Sequence, residues 1–190
     1  METVSKDDVR TEAIRKRLAL TSQQIREASA GIAGHNWASI CGSGVVTAYV
    51  SMPGEPPTGE LRRALVAQGT RVALPIMRPE RQLDWGWDGA ELESNSYGIL
   101  EPKPDFAIEI AQVNALFIPA MQVGVDGSRL GRGAGYFDRA LENVPLYRDG
   151  GPQRIVVAFD HEVVDSVPHE LHDAIVDMVV TPTRIIKVSY

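Results

Sequence analysis

Short β-rich runs at residues 45–51, 71–74, 115–118, 154–159 and 178–180 alternate with segments of helical spacing, and this alternation constrains the chain more than any other feature. Strands that alternate with helices call for crossover connections, and those cover a mostly parallel sheet on both faces. The expected fold is therefore α/β, with a largely parallel central sheet flanked by helices in a three-layer sandwich. The clearest helical segments after the first strand are 59–68, which Gly69 ends, and 136–142. Residues 184–188 are expected to form an edge strand. The GEPPTG segment 54–59, the Trp-Gly-Trp piece 85–87 and the EPKPD stretch 101–105 are rich in turn and extended-chain residues, and are read as surface loops.

Ahead of the first strand the chain reads as helical. Ser5 with Asp8, and Thr21 with Gln24, have the spacing of capping boxes, in which side chains satisfy the free amides of a helix start. Helices over 5–20 and from 21 to about 31–34 would form an N-terminal hairpin, roughly 5–35. On the first helix Val9, Ala13, Ile14, Arg17 and Leu18 make a modest apolar stripe. Lys6 and Arg10, four apart, share a face. With 190 residues, 44% of them apolar, and no repeat or linker, a single domain over 1–190 is expected.

Charge and cysteine content narrow the function. Nineteen Lys and Arg against 25 Asp and Glu give a net charge of −6, opposite in sign to the footprint of a nucleic-acid binder. Any anionic ligand must be held by a few local residues. The lone Cys41 excludes an internal disulfide or a multi-thiolate metal site, and fits a reducing, cytoplasmic setting. No apolar run approaches the roughly 20 residues that span a bilayer, so no membrane partner is expected.

The segment FIPAMQVGVDGSRLGRGAGYFDRAL, residues 117–141, reads as strand, loop, glycine cluster, helix. Gly131, Gly133 and Gly135 alternate, so backbone amides can approach a ligand without Cβ obstruction. If the helix begins just after Gly135, its free amides and dipole would favour phosphate. Arg129 and Arg132 add charge, and Asp138 could hold magnesium. On local chemistry alone the segment fits either an anion cradle or a tight surface loop with two exposed arginines. It is neither a Walker A loop, lacking GK[ST], nor GxGxxG, since Tyr136 takes the sixth place.

Residues 129–139, RLGRGAGYFDR, resemble the RLGxGxGYYD signature of 5-formyltetrahydrofolate cyclo-ligases, also called 5,10-methenyltetrahydrofolate synthetases. Lys6-Asp7-Asp8-Val9-Arg10 is similar to that family's N-terminal Lys-x-x-Leu-Arg, and residues 55–58 to its Glu-x-x-Thr turn. GILEP at 98–102 and HDAIVD at 172–177 also match in order, so the marks span nearly the whole chain. The resemblance implies a NagB/RpiA/CoA transferase-like fold and a ligase forming a C–N bond. The implied reaction is conversion of 5-formyltetrahydrofolate to 5,10-methenyltetrahydrofolate, with ATP as co-substrate and Mg2+ as cofactor, by a monomer acting on small molecules.

Residue by residue, the resemblance implies that ATP meets Lys6, Arg10, Arg129, Leu130, Gly131, Arg132, Gly133, Ala134, Gly135, Tyr136 and Phe137. The folate would meet Val50, Glu55 and the shared loop from Gly131 to Gly135. Arg132 and Tyr136 would be catalytic, and Asp138 and Asp173 would be magnesium ligands. Asp177 reads as structural. The chain departs from the pattern at Ala134, where some members carry Lys, at Phe137, which replaces a second Tyr, and at Gly124, where an Asp is usual. Asp126, two residues on, would compensate only through a rearranged loop. His169 and His172 in HELH do not form the HExxH zinc arrangement and read as a surface cluster. Two other readings stay open: a non-catalytic ATP-binding module of the same fold, and a sugar-phosphate isomerase-like enzyme with Glu55 as its base.

Overall fold

The computed structural model describes residues 5–89, 91–103, 108–170 and 173–189. Three helices open the chain: α1 (Lys6–Leu18), α2 (Ser22–Ala33) and α3 (Trp37–Cys41). They lead to β1 (Val45–Thr47), α4 (Gly59–Ala67), β2 (Arg71–Met77), β3 (Leu83–Trp87), β4 (Leu92–Ser94) and β5 (Leu100–Pro102). After β6 (Ala115–Ile118), the short strands β7 (Gln122–Gly124) and β8 (Arg129–Leu130) run into the glycine cluster and α5 (Tyr136–Leu141). The chain continues through β9 (Gln153–Val157), β10 (Val163–Val164), β11 (Met178–Val180) and β12 (Ile185–Lys187).

Seven strands form the main sheet in the order β12-β11-β9-β6-β1-β2-β3. The inner strands from β11 to β2 are parallel, and β12 and β3 close the two edges antiparallel. Side chains alternate between the two faces. Phe117, Ile155, Val157, Met178 and Val180 pack with Ile32, Trp37, Leu61 and Leu65 on one side, while Leu116, Ile118, Val156 and Val179 pack with Leu141 and partly buried Phe137 on the other. Burial on both faces explains why these strands read as near-continuous apolar runs. A three-stranded sheet, β10-β7-β8, and the β4-β5 hairpin flank the main sheet. Among the described residues no helix is long and apolar enough to cross a membrane.

Both capping boxes form as expected, with Ser5 accepting from the Asp8 amide and Thr21 from that of Gln24. The expected stripe of α1 docks only in part. Ile14 and Leu18 are exposed, and the buried residues of the helix are Ala13 and Arg17. Lys6, Arg10, Ala13 and Arg17 recur at the spacing of a single helix face, so α1 seats itself by a cationic face. Arg17 is fixed 2.5 Å from the Glu162 carboxylate, and donates to the Ala120 carbonyl at 2.6 Å. The first two helices are also less of a hairpin than expected: α1 packs on β7, and α2 packs on α4.

Three segments read as surface loops turn out otherwise. Residues 85–87 lie in edge strand β3, with Trp85 buried. Gly86 reads as a breaker, but a Cβ there would lie 2.8 Å from the Pro102 ring, so the glycine admits β5 at close range. Glu101 and Pro102 belong to β5, while Pro104 and Asp105 lie outside the described residues. Residues 54–58 are irregular and Gly59 opens α4, yet Glu55, Pro56 and Thr58 are buried, with Thr58 Oγ1 donating to the Tyr49 carbonyl at 2.6 Å. The first strand ends at Thr47, four residues early, and β2 runs on to Met77 because β3 pairs with it from Ala73 to Met77.

Candidate active site

Residues 131–135 connect β8 to α5. Gly133 and Gly135 have φ of +97° and +76°, a region that side chains disfavour. A Cβ at Gly133 would lie 3.2 Å from the Arg10 guanidinium carbon, and Arg10 Nε donates to the Gly131 carbonyl at 3.0 Å. The loop thus runs under the cationic face of α1. Helix α5 has only six residues, so the dipole expected from the sequence is short, and charge near the loop must come mainly from side chains.

This loop is the wall between two cavities. A cavity of about 360 Å³ is mostly apolar, with Val50, Met77, Leu83, Ile99 and Leu100 around Glu55 and Arg132. The other, about 560 Å³, is lined by Lys6, Arg10, Arg81 and Arg139 together with Asp138, Glu170 and Asp173. Arg129, Gly131, Gly133, Gly135 and Asp138 line both. Every residue expected at the site therefore reaches one cavity or the other. Val50, Glu55, Arg132, Ala134, Tyr136 and Phe137 line the apolar cavity alone, whereas Lys6, Arg10, Leu130 and Asp173 line only the polar one. Of the loop residues that the sequence left shared between two ligands, Gly131, Gly133 and Gly135 border both cavities, while Arg132 and Ala134 face only the apolar one.

The charges are arranged in opposed pairs. Arg132 Nε is 2.8 Å from Glu55 Oε1, and the other Glu55 oxygen accepts the Met52 amide at 2.8 Å. Arg129, almost fully buried, pairs with Asp138 and donates to the Pro119 carbonyl at 3.1 Å. Lys6 Nζ lies 2.7 Å from Asp173 and 3.0 Å from Glu170. The Asp173 hydrogen bond raises the Lys6 pKa above its ordinary 10.5, outweighing the opposing effect of burial, and Glu170 adds to the rise. Lys6 is therefore a full cation throughout the neutral range.

Two observations bear on what the polar cavity could hold. Arg129 Nε is buried with no hydrogen-bond partner among the described residues, a donor left over for a ligand. Asp138 also accepts the Ala174 amide at 3.1 Å, which ties it to the residue next to Asp173, so two carboxylates share one wall. No group of three or more His, Cys, Asp or Glu able to hold a metal occurs among the described residues. Two carboxylates suit magnesium, which takes few protein ligands and completes its shell with phosphate and water.

Elsewhere the candidate groups are structural. Burial pushes the Cys41 thiol up to about 12, so it is no nucleophile at neutral pH. His169 Nδ1 lies 3.1 Å from the Val167 carbonyl, and His172 lies outside the described residues. Buried Asp177 accepts the Arg154 amide at 2.7 Å, in keeping with its structural reading. At Gly124 no side chain would fit in the present arrangement of the turn. A Cβ there would lie 2.2 Å from Asp126 Oδ1, so the Asp126 carboxylate already fills that position.

Sequence reasoning missed Arg81 and Arg139 in the polar cavity and Met77, Leu83 and Leu100 in the apolar one. The arginines stand at no motif position assigned a role. The apolar set comes from β2, β3 and β5, where 85–87 and 101–105 were read as loops; period-two alternation across Gly86 was the available signal.

Fold and site together define an α/β protein that sets a mostly apolar pocket against a charged one, with a glycine loop between them. The 5-formyltetrahydrofolate cyclo-ligase family model matches residues 2–182, and the chain belongs to that family. It is 34% identical over 97% of its length to the 5-formyltetrahydrofolate cyclo-ligase of Mycolicibacterium smegmatis, also covering 97% of that protein. It is 30% identical to the Escherichia coli protein of the same name, over 90% of this chain and 96% of the other. Among solved structures, the 5,10-methenyltetrahydrofolate synthetase of Aquifex aeolicus superposes with a TM-score of 0.80 at 23% identity, over 96% of this chain and 92% of that one. The Mycoplasma pneumoniae synthetase gives 0.73 at 18%, over 94% and 99%. These two likenesses bear out the α/β fold.

Proposed function

We propose that the chain closes the methenyl ring of 5-formyltetrahydrofolate at the expense of ATP, with magnesium, and that it does so as a monomer. The observation that carries this reading is the loop 131–135, whose three glycines line the apolar and the polar cavity at once. Folate occupies the apolar side, where Val50 and the β2, β3 and β5 residues cover its rings and Glu55 accepts N–H donors from a polar edge. The ATP phosphates occupy the polar side, held by Lys6, Arg10, Arg129 and loop amides. The formyl oxygen and the terminal phosphate then meet at the loop itself. Because all of these groups come from one polypeptide, no second copy is needed to complete the site.

A formamide oxygen is a poor leaving group. Its attack on the γ-phosphorus forms an O–P bond as the bond to ADP breaks, and this converts the oxygen into phosphate ester. N10 of the same molecule then attacks the formyl carbon, N10 loses its proton, and the C–O bond breaks to release phosphate. Ring closure needs only proximity, since both atoms sit on one substrate. Phosphoryl transfer needs alignment and neutralised charge. Arg132, carried on the shared loop, is positioned to neutralise the oxygen as it becomes phosphorylated, while Tyr136 borders the same cavity. Asp138 and Asp173 would hold magnesium, which supplies charge neutralisation on the phosphates. Their binding it would free Arg129 and Lys6 from their present partners.

The test is direct. Purified protein should generate the absorbance of a methenyl-folate from 5-formyltetrahydrofolate only with ATP and magnesium both present, one phosphate appearing per ring closed. Protein that binds ATP yet makes no methenyl product would reject the reading in favour of a nucleotide-binding module. Turnover of a sugar phosphate without nucleotide would point to isomerase chemistry.

A further inference from the structure

Most cations of the polar cavity already have a protein partner. Lys6 and Arg129 reach carboxylates, and Arg10 reaches Asp7 at 2.6 Å and the Gly131 carbonyl. Arg81 lines the same cavity, yet it makes no ion pair or side-chain hydrogen bond among the described residues. It was assigned no role from the sequence.

Arg81 sits at the tip of the β2-β3 hairpin. The turn closes through the Gln82 amide donating to the Pro79 carbonyl at 3.3 Å and the Arg78 amide to the Gln82 carbonyl at 2.9 Å. Glu80 and Arg81 have φ of 59° and 60°, the pair of positive angles that a type I′ hairpin turn requires. Such turns prefer Asn-Gly, and a β-carbon disfavours this region, so Glu and Arg are held there against their backbone preference. The hairpin is tied to the site through Trp85, whose ring meets that of Phe137 edge-on at 6.5 Å between centroids. At its tip the Arg81 guanidinium arrives over the glycine loop: a Cβ at Gly135 would lie 3.6 Å from its Nη1. Arg78, the other hairpin arginine near the tip, is already engaged with Asp84 at 2.6 Å. A disfavoured turn thus delivers an unpaired guanidinium to the wall that both cavities share.

We propose that Arg81 is a phosphate-binding residue of this site, closing over Gly135 onto the polyphosphate of the bound nucleotide; this rests on the nucleotide reading above. A paired arginine must exchange a carboxylate for phosphate when the ligand arrives. Arg81 gains its charge-assisted hydrogen bonds with no such exchange, and its fork suits charge spread over several oxygens.

The experiment compares wild type with Arg81→Ala, Arg81→Lys, and a double variant carrying Glu80→Asn and Arg81→Gly. Calorimetry reads the affinity for magnesium-ATP, kinetics read KM for ATP and for 5-formyltetrahydrofolate, and thermal melting reads the fold. Arg81→Ala should weaken magnesium-ATP binding and raise KM for ATP about tenfold, the loss expected for a charged hydrogen bond. KM for the folate should stay within about twofold, and melting should hold. Arg81→Lys should recover part of the affinity. The double variant carries the preferred turn sequence, so it should melt higher while binding nucleotide as weakly as Arg81→Ala, which separates ligand binding from turn stability. Unchanged magnesium-ATP affinity in Arg81→Ala overturns the proposal and leaves the nucleotide reading intact. A parallel rise in both KM values also overturns it. Wild-type protein that binds no magnesium-ATP overturns both.

Discussion

The two cavities beside the glycine loop are built on opposite plans. The polar one draws its charges from sequence-distant points: α1, the tip of the β2-β3 hairpin, the glycine loop with α5, and Glu170 with Asp173. The apolar one is assembled from the sides of strands and from the β4-β5 hairpin, with few charged groups. An anion can be bound by three or four cations, each of which makes a large contribution. A flat ring system is bound by area, with many residues each contributing a little. Substitutions on the two sides should therefore differ in size and in the substrate they affect, and that difference can be measured.

The largest effect is expected where the two plans meet. Arg132→Ala should lower kcat by about 100-fold, a loss typical of removing a donor aimed at developing charge. The Arg132 side chain is 41% exposed, so the melting temperature should change little. Equal losses of stability and turnover would mean that the Arg132–Glu55 pair merely ties the loop to residues 52–55, and the comparison would fail at its centre. Next in size, Lys6→Ala or Arg10→Ala should raise KM for ATP about tenfold and leave KM for the folate unchanged. Steady-state kinetics with each substrate varied in turn checks both. If folate KM rises as well, the loop does not partition the ligands as its two faces suggest. On the apolar side, Leu100→Ala should raise KM for the folate by roughly fivefold and spare KM for ATP, since only part of a leucine side chain is lost from the contact.

That asymmetry also governs what could be read before the structure was seen. Much of the polar cavity, though not Arg81 or Arg139, was legible because its charges sit at motif positions: Lys6 and Arg10 one helical turn apart, Arg129 and Asp138 at either end of the glycine cluster. The parallel sheet was legible because strands buried on both faces leave unbroken apolar runs. What failed was anything decided by contacts between distant segments. Gly86 looked like a loop residue because the need for it lies in Pro102, which approaches from another strand. The α1 stripe is buried only at Ala13 and Arg17: helix patterning expects the apolar members to face inward, whereas Ile14 and Leu18 stay exposed and Arg17 is buried against Glu162, 145 positions away. A buried ion pair is invisible to hydrophobic periodicity. It also sets how α1 sits: Arg17, two turns beyond Arg10 on the same face, anchors the helix whose Lys6 and Arg10 line the polar cavity.

The smallest expected effect lies outside both cavities and tests whether a departure from the family pattern is functional or merely local. Gly124 lacks the usual carboxylate, and the Asp126 carboxylate packs against its α-carbon, accepting from the Ser128 amide at 2.9 Å and its hydroxyl at 2.5 Å. Partial burial opposes ionisation of Asp126, but the hydrogen bonds from Ser128 and Ser166 prevail and hold its carboxyl below the ordinary 3.8. A folded-state pKa below the unfolded value means that the charged form stabilises the fold above about pH 3.8. That contribution disappears as pH falls through the depressed folded value. Asp126→Asn should therefore cost less than about 1 kcal/mol at neutral pH, because solvent screens this exposed turn. The gap from wild type should narrow in acid, and KM for either substrate should not move. Denaturant melts at neutral and acidic pH, run beside the kinetics, read both quantities. A change in either KM would make residues 124–128 part of the site rather than a brace behind it.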